Sequence, residues 1–207
     1  MARRVRANWR GTGWCGILRG GHARIPLSLI QFLAWEERQE IRYEFDGFQP
    51  IAMTGGTVAH DQITSNVRRL LEDRLAGKQF RPLGPNMKII ADGHVRYPDV
   101  FVVCHPVPST ATVIGNPVIV FEVLSTSTGK IDLIDKNREY RATPSIKRYV
   151  VLQQTHQAAI VFVRRGDDWL TEIVAGNDAF LALPEIGIDV SLDDIYANAG
   201  LSDEPDA

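Results

Sequence analysis

Cysteine is scarce in this chain. Cys15 and Cys104 are the only two in 207 residues, and neither lies in a CxxC pair. That excludes a disulfide framework. Cys104 stands beside His105, but two adjacent ligand types make a weak metal signal, and a thiol buried at a strand end is the plainer expectation. Long apolar runs are missing too. None approaches the roughly 18–20 residues that a bilayer-spanning helix needs, and the N-terminus has no continuous apolar segment of the secretory kind. These absences point to a cytoplasmic protein without a membrane partner.

Acid is absent from residues 1–24, where Arg3, Arg4, Arg6, Arg10, Arg19 and Arg24 stand among closely spaced glycines. Serine is also absent there, which argues against a transit peptide. The stretch reads as a poorly ordered extension, with a phosphate-gripping arm or a misassigned start as alternatives. The formal charge of the whole chain is −2, so the remainder is acidic. Net charge therefore gives no general attraction to nucleic acid, and any such binding must rest on a local basic cluster. Residues 25–200 read as a single domain, followed by an acidic tail at 201–207. With 44% hydrophobic and 23% charged residues, the composition is that of an ordinary globular protein.

Ser28 is a helix N-cap before Leu29, Ile30, Phe32, Leu33 and Trp35. Asp46-Gly47 between two strand-like runs is a hairpin signal. Thr57 caps a second helix with Ile63, Val67, Leu70, Leu71 and Leu75 at helical spacing, ending at Gly77. Short strands follow at 79–83, 87–91 and 95–97, then Val100–Val103. Residues 105–117 read as a loop. A helix is expected from about Lys130 to Ala142, strands at 147–152, 158–164 and 169–174, and a short closing helix at 192–196. This order suits an α/β (α+β) fold around a mixed sheet.

The run Pro117-Val118-Ile119-Val120-Phe121-Glu122-Val123-Leu124-Ser125 is the centre of the chain. It is too short for a membrane and apolar enough for a strand buried on both faces. Alternation puts Glu122 on one face with Val120 and Leu124. A buried carboxylate there costs several kcal/mol unless a cation or strong donors compensate. Asp99, with Phe101 and Val103, opens another buried strand after Pro98. Asp132, Lys136 and Tyr140 recur every four residues on the helix after Glu122. Two carboxylates from neighbouring strands are hard oxygen ligands suited to Mg²⁺ or Mn²⁺, and a nearby lysine could orient water or neutralise charge. The plainer alternatives are a turn-capping Asp99, an exposed Lys136–Asp132 pair and a His60 bonded to nearby backbone.

Tyr43-Glu44 with Asp46-Gly47, His60, Tyr97-Pro98-Asp99-Val100, Glu122-Val123-Leu124-Ser125 with Ser127-Thr128, and Asp132, Lys136 and Tyr140 occur in the order seen in Uma2-type proteins. The chain resembles that family over roughly residues 25–197. The family was formerly a domain of unknown function and is similar to restriction endonucleases of the PD-(D/E)xK fold. The resemblance implies a restriction-endonuclease-like core and a metal-dependent endonuclease. Asp99 matches the Asp of the PD pair, and Glu122 the acid of the second half-motif. The usual lysine two places later is replaced by Leu124, and its role passes to Lys136. Glu44 matches an upstream acid that completes the metal site or binds a second ion. His60, Tyr140 and Ser125 match supporting positions. The resemblance thus implies an ion held by Asp99, Glu122, the Val123 carbonyl and Glu44.

Lys130, Arg138 and Arg141, with Lys136, Lys147 and Arg148, could face phosphates, or form an ordinary solvated helix face among Asp132, Asp135 and Glu139. DNA is the expected substrate, and cutting both strands of a duplex would favour a homodimer. Two other readings compete. One is a binding module that keeps the fold without the chemistry. The other is a serine hydrolase using Ser125, which lacks a GxSxG elbow.

Overall fold

The computed structural model describes residues 26–104, 106–124 and 132–201. Helix α1 (Leu29–Glu36) starts where a capping box predicts. Ser28 Oγ accepts from Gln31 N, and Gln31 Oε1 accepts from Ser28 N at 2.8 Å, so two orphan donors of the first turn are satisfied. The hairpin β1 (Tyr43–Phe45) and β2 (Pro50–Ala52) follows. Its turn is fixed by Asp46 Oδ1, which accepts from Phe48 N and Gln49 N. Thr57 caps α2 (Val58–Leu75), with its hydroxyl oxygen accepting from His60 N.

Strands β3 (Arg81–Leu83), β4 (Lys88–Ala91), β5 (His94–Arg96) and β6 (Val100–Val103) come next. The stretch expected to be loop contains the two-residue strand β7 (Val113–Ile114), which pairs parallel to β4. Strand β8 (Pro117–Val123) is the anticipated central strand. After it, a π-helical turn at Asp132–Lys136 runs into α3 (Asn137–Ala142). Then come β9 (Arg148–Leu152), β10 (Ala158–Arg165) and β11 (Asp168–Ala175). The chain closes with an unanticipated hairpin, β12 (Phe180–Leu183) and β13 (Ile188–Ser191), and α4 (Leu192–Tyr196).

The fold is a mixed α/β arrangement of sheets flanked by helices, as expected. The main sheet runs β11-β10-β9-β8-β6-β3, and a second one runs β2-β1-β5-β4-β7. In the main sheet β8 lies parallel to β9 and antiparallel to β6. Parallel neighbours need a crossover, and the segment containing the π turn and α3 supplies it.

Alternation divides β8 between two cores. Ile119, Phe121 and Val123 pack with Val100, Val102 and the apolar stripes of α2 and α4. Val120 and Leu124 pack on the other side with Phe101, Val103, Tyr140 and residues of the second sheet. Glu122 belongs to this second face. A smaller core of Phe32, Phe45 and Val95 holds α1 to the hairpin. Cys104 corrects the expectation of a buried thiol: it is exposed just past the end of β6.

Charge also fastens α1. Lys88 Nζ donates to Glu36 Oε2 at 2.5 Å, and Tyr97 OH donates to Glu36 Oε1 at 2.6 Å, all three groups being buried. Burial works to raise the Glu36 pKa, but the bonds from Lys88 and Tyr97 outweigh it and hold the carboxyl below its ordinary value. Burial and the bond to Glu36 push the Tyr97 phenol up.

Glu36→Gln should therefore cost about 3–5 kcal/mol at pH 7, because it strands Lys88 in the interior. A depressed carboxyl stabilises fully above its unfolded value and loses that contribution as pH falls through the folded one. Urea unfolding should show the gap between wild type and variant narrowing below the ordinary carboxyl value of 4.5.

Candidate active site

The last paired residues of β6 and β8 are Val100 and Phe121. One step further along this register sets Asp99 opposite Glu122, with both side chains on the same face. The step is held by a side-chain bond, Val123 N donating to Asp99 Oδ2 at 2.7 Å. His60 Nε2 lies 3.2 Å from the same oxygen. That bond, aided by the Asp99 charge, raises the His60 pKa against the opposing effect of burial. No described group donates to Asp99 Oδ1. Asp99 therefore ties β8 to α2 rather than merely capping its own turn.

Glu122 is only 4% exposed. The cation its burial calls for is Lys136, whose Nζ donates to Glu122 Oε1 at 3.1 Å. Tyr140 OH donates to the same oxygen at 2.8 Å. Lys136 ends the π turn and Tyr140 lies one α-turn later, so the change of helical pitch falls between the strand and two side chains that reach back to it. Such π turns recur at functional sites. Burial, and then the Glu122 charge, push the Tyr140 phenol well above its ordinary value. The alternative of an exposed Lys136 is set aside by its 8% exposure.

Glu44, from β1, lies 3.6 Å from the Lys136 ammonium through Oε1. Its oxygens also accept from Arg96 NH1 and Tyr97 N, each at 3.1 Å. Arg96 in turn makes a bidentate pair with Glu139, both contacts 2.7 Å. Burial works to lower the Arg96 pKa, but the Glu139 bonds and the charges of Glu44 and Glu139 push it up. The result is an alternating file, Glu122–Lys136–Glu44–Arg96–Glu139, with Asp99 and His60 at its head. Sequence reading passed over Arg96, whose only advance signal was a charge between Val95 and Tyr97 at the end of a strand, and it placed Glu139 on a solvated helix face, where the structure instead buries it.

Glu44, His60, Arg96, Asp99, Glu122 and Lys136 line a cleft of about 200 Å³, with residues 51–56 forming another part of its wall. That is room for several waters at about 30 Å³ each. Along the cleft three carboxylates, Glu44, Asp99 and Glu122, face two permanent cations, Arg96 and Lys136, a formal excess of one negative charge. Among the described residues, no three His, Cys, Asp or Glu side chains are placed to hold a metal by themselves. A pair of carboxylates with a backbone carbonyl and waters is instead the kind of set that Mg²⁺ uses. By charge, donor type and volume the cleft fits a divalent ion.

Several expected residues stand elsewhere. Ser125, Ser127, Thr128 and Lys130 lie outside the described residues, as does His105. Arg138 is exposed and 3.8 Å from Asp135, and exposed Arg141 lies over the Trp169 ring at 5.8 Å. Arg148 is no surface cation: it is buried in a bidentate pair with Glu185. Lys147 bonds the Pro144 carbonyl.

The sequence model of Uma2, described as "Putative restriction endonuclease", matches residues 29–193. The chain belongs to the Uma2 family. It is 33% identical over 174 residues to the uncharacterized protein slr1290 of Synechocystis sp., covering 82% of this chain and 91% of that one. It is 28% identical over 159 residues to sll1609 of the same organism, covering 74% and 90%. Among solved structures, this Uma2 chain resembles one described as "a putative nuclease belonging to DUF820" from Anabaena variabilis. The TM-score is 0.68 at 17% identity, over 83% of this chain and 98% of the other. That likeness establishes a shared fold, the restriction-endonuclease-like core anticipated from the sequence. No described helix is long and apolar enough to cross a membrane.

Two variants probe the scaffold. Gly84 has φ +118°, and a Cβ there would stand 2.4 Å from the Asp99 carbonyl oxygen. Gly84→Ala must shift the start of β6 and should cost about 1–3 kcal/mol, read by thermal unfolding. Tyr140→Phe removes a bond to a buried carboxylate and should cost about 1.5–3 kcal/mol, read by denaturant titration.

Proposed function

We propose that this Uma2 chain is a metal-dependent endonuclease that hydrolyses phosphodiester bonds of nucleic acid, with DNA as substrate. The observation that carries the reading is the pairing of Asp99 with Glu122 across β6 and β8 at the floor of a cleft, with Lys136 arriving from the following helix.

In this reading Asp99, Glu122 and the Val123 carbonyl hold Mg²⁺ or Mn²⁺, and Glu44 joins them directly or through water. Bound there, the ion would lower the pKa of a water and offset charge on a phosphate oxygen during in-line displacement. The remaining work falls to the chain's own groups. Lys136, fixed between Glu122 and Glu44, orients the hydrolytic water and can neutralise charge building on the phosphate. His60 holds the Asp99 carboxylate by Oδ2, while Tyr140 holds Glu122 by Oε1. Arg96 keeps Glu44 turned toward the lysine. Leu124 occupies the usual lysine position, so displacement of the ammonium to the π turn before α3 is the feature on which competence depends.

A binding module without turnover is the second reading. It is favoured by the carboxylate partners of both Arg96 and Lys136, which spend cationic charge inside the protein rather than on a substrate.

Nicking of supercoiled plasmid with Mg²⁺ or Mn²⁺ separates the two. Asp99→Asn, Glu122→Gln and Lys136→Met should each lower the rate by about 100-fold or more. Undiminished cleavage by Glu122→Gln would refute the assignment. Metal binding without cleavage of duplex, single-stranded or branched substrate would favour the binding module.

A further inference from the structure

The outer edge of the main sheet is a long, level strand. β11 ends the sheet order at one side, and among the described residues nothing pairs with its free edge. Leu170 and Ile173 on it are 50% and 76% exposed. A strand edge of this length and composition is a template for another strand.

The backbone parity of β11 is fixed by its hairpin. Arg165 and Asp168 flank the two-residue turn Gly166-Asp167 and pair with each other, so they form a mutually bonded pair. The bond from Gly176 N to Gln157 O follows the same parity. Even-numbered residues of β11 therefore bond inward to β10, and Trp169, Thr171, Ile173 and Ala175 turn their N–H and C=O groups outward.

We infer that β11 pairs antiparallel with β11 of a second copy of this chain, about a two-fold axis at Thr171. A two-fold axis perpendicular to a sheet requires opposed residues to share a face, which leaves few registers. Centring on Glu172 would oppose two like charges. Centring on Leu170 would set Asp168 against Glu172 of the other copy, and like charges directly opposite destabilise a sheet; centring on Ile173 would pair only residues 171–175 of the strand and leave Trp169 without a strand partner. Centring on Thr171 opposes threonine to threonine at the axis, Leu170 to Glu172, and Trp169 to Ile173 twice over. The two aromatic–aliphatic pairs cover Ile173, 76% exposed, and three of the four outward residues, Trp169, Thr171 and Ile173, find bonding partners. The assembly is one continuous sheet of twelve strands, with a cleft in each half.

Light scattering and chemical cross-linking of the full chain test this. Wild type at micromolar concentration should weigh twice the 23.1 kDa of one chain. Thr171→Pro removes an outward N–H that β10 does not use, a place where an edge strand tolerates proline, and should halve the mass. In a background of Cys15→Ser and Cys104→Ser, Thr171→Cys should form a covalent dimer on oxidation, while Glu172→Cys should form far less. A monomeric wild type would overturn the inference, and so would a dimer that neither Thr171→Pro weakens nor Thr171→Cys captures. Should Thr171→Pro fail to fold, the two cysteine variants decide the matter alone.

Discussion

A carboxylate in the middle of a sheet is the constraint around which this protein is arranged. Glu122 stands on a face of β8 where its strand neighbours Val120 and Leu124 are buried in an apolar core. Water cannot reach it freely, so protein groups must supply what hydration would. Lys136 and Tyr140 do so from the helical segment that crosses to β9. Importing an ammonium creates a second requirement, because the lysine is now buried as well. Glu44 meets part of it, Arg96 holds Glu44, and Glu139 holds Arg96. Each charge is tolerable only because of the next. Removing a partner from such a file is far more damaging than never having built it.

Under the proposed function, the same file accounts for a core that lacks the lysine customarily two residues beyond the acid. On a strand, a residue two places on shares the same face, and there Leu124 is used as core. The crossover segment passes over that face, and two side chains from it, Lys136 and Tyr140, reach the carboxylate. What the ammonium must do depends on where its nitrogen lies and not on which segment carries it.

Much of the architecture is legible in residue order, for local reasons. Ser28, Asp46-Gly47 and Thr57 announce their caps and turns because their hydrogen bonds span only a few residues. The buried central strand and the need for a cation beside Glu122 follow from alternation and desolvation. What escaped is non-local or short. Lys88–Glu36 and Arg96–Glu139 join residues 52 and 43 positions apart, and no periodicity announces such partners. Two-residue β7 is too brief for a pattern. Arg148 looked like a surface cation because Glu185, which claims it, lies well along the chain. The grouping of β1, β2, β4, β5 and β7 into a separate sheet was equally hidden, since it depends on packing rather than propensity.

Tyr97 adds two polar bonds where α1 and the first hairpin meet the neighbouring strands. Its backbone N–H meets Glu44 and its hydroxyl meets Glu36, while the apolar cluster beneath α1 and the first hairpin has only three fully buried members. Segments with small cores open more readily than the whole protein unfolds. One wall of the cleft therefore rests on a small core and a few polar bonds, while its floor is set in the main core.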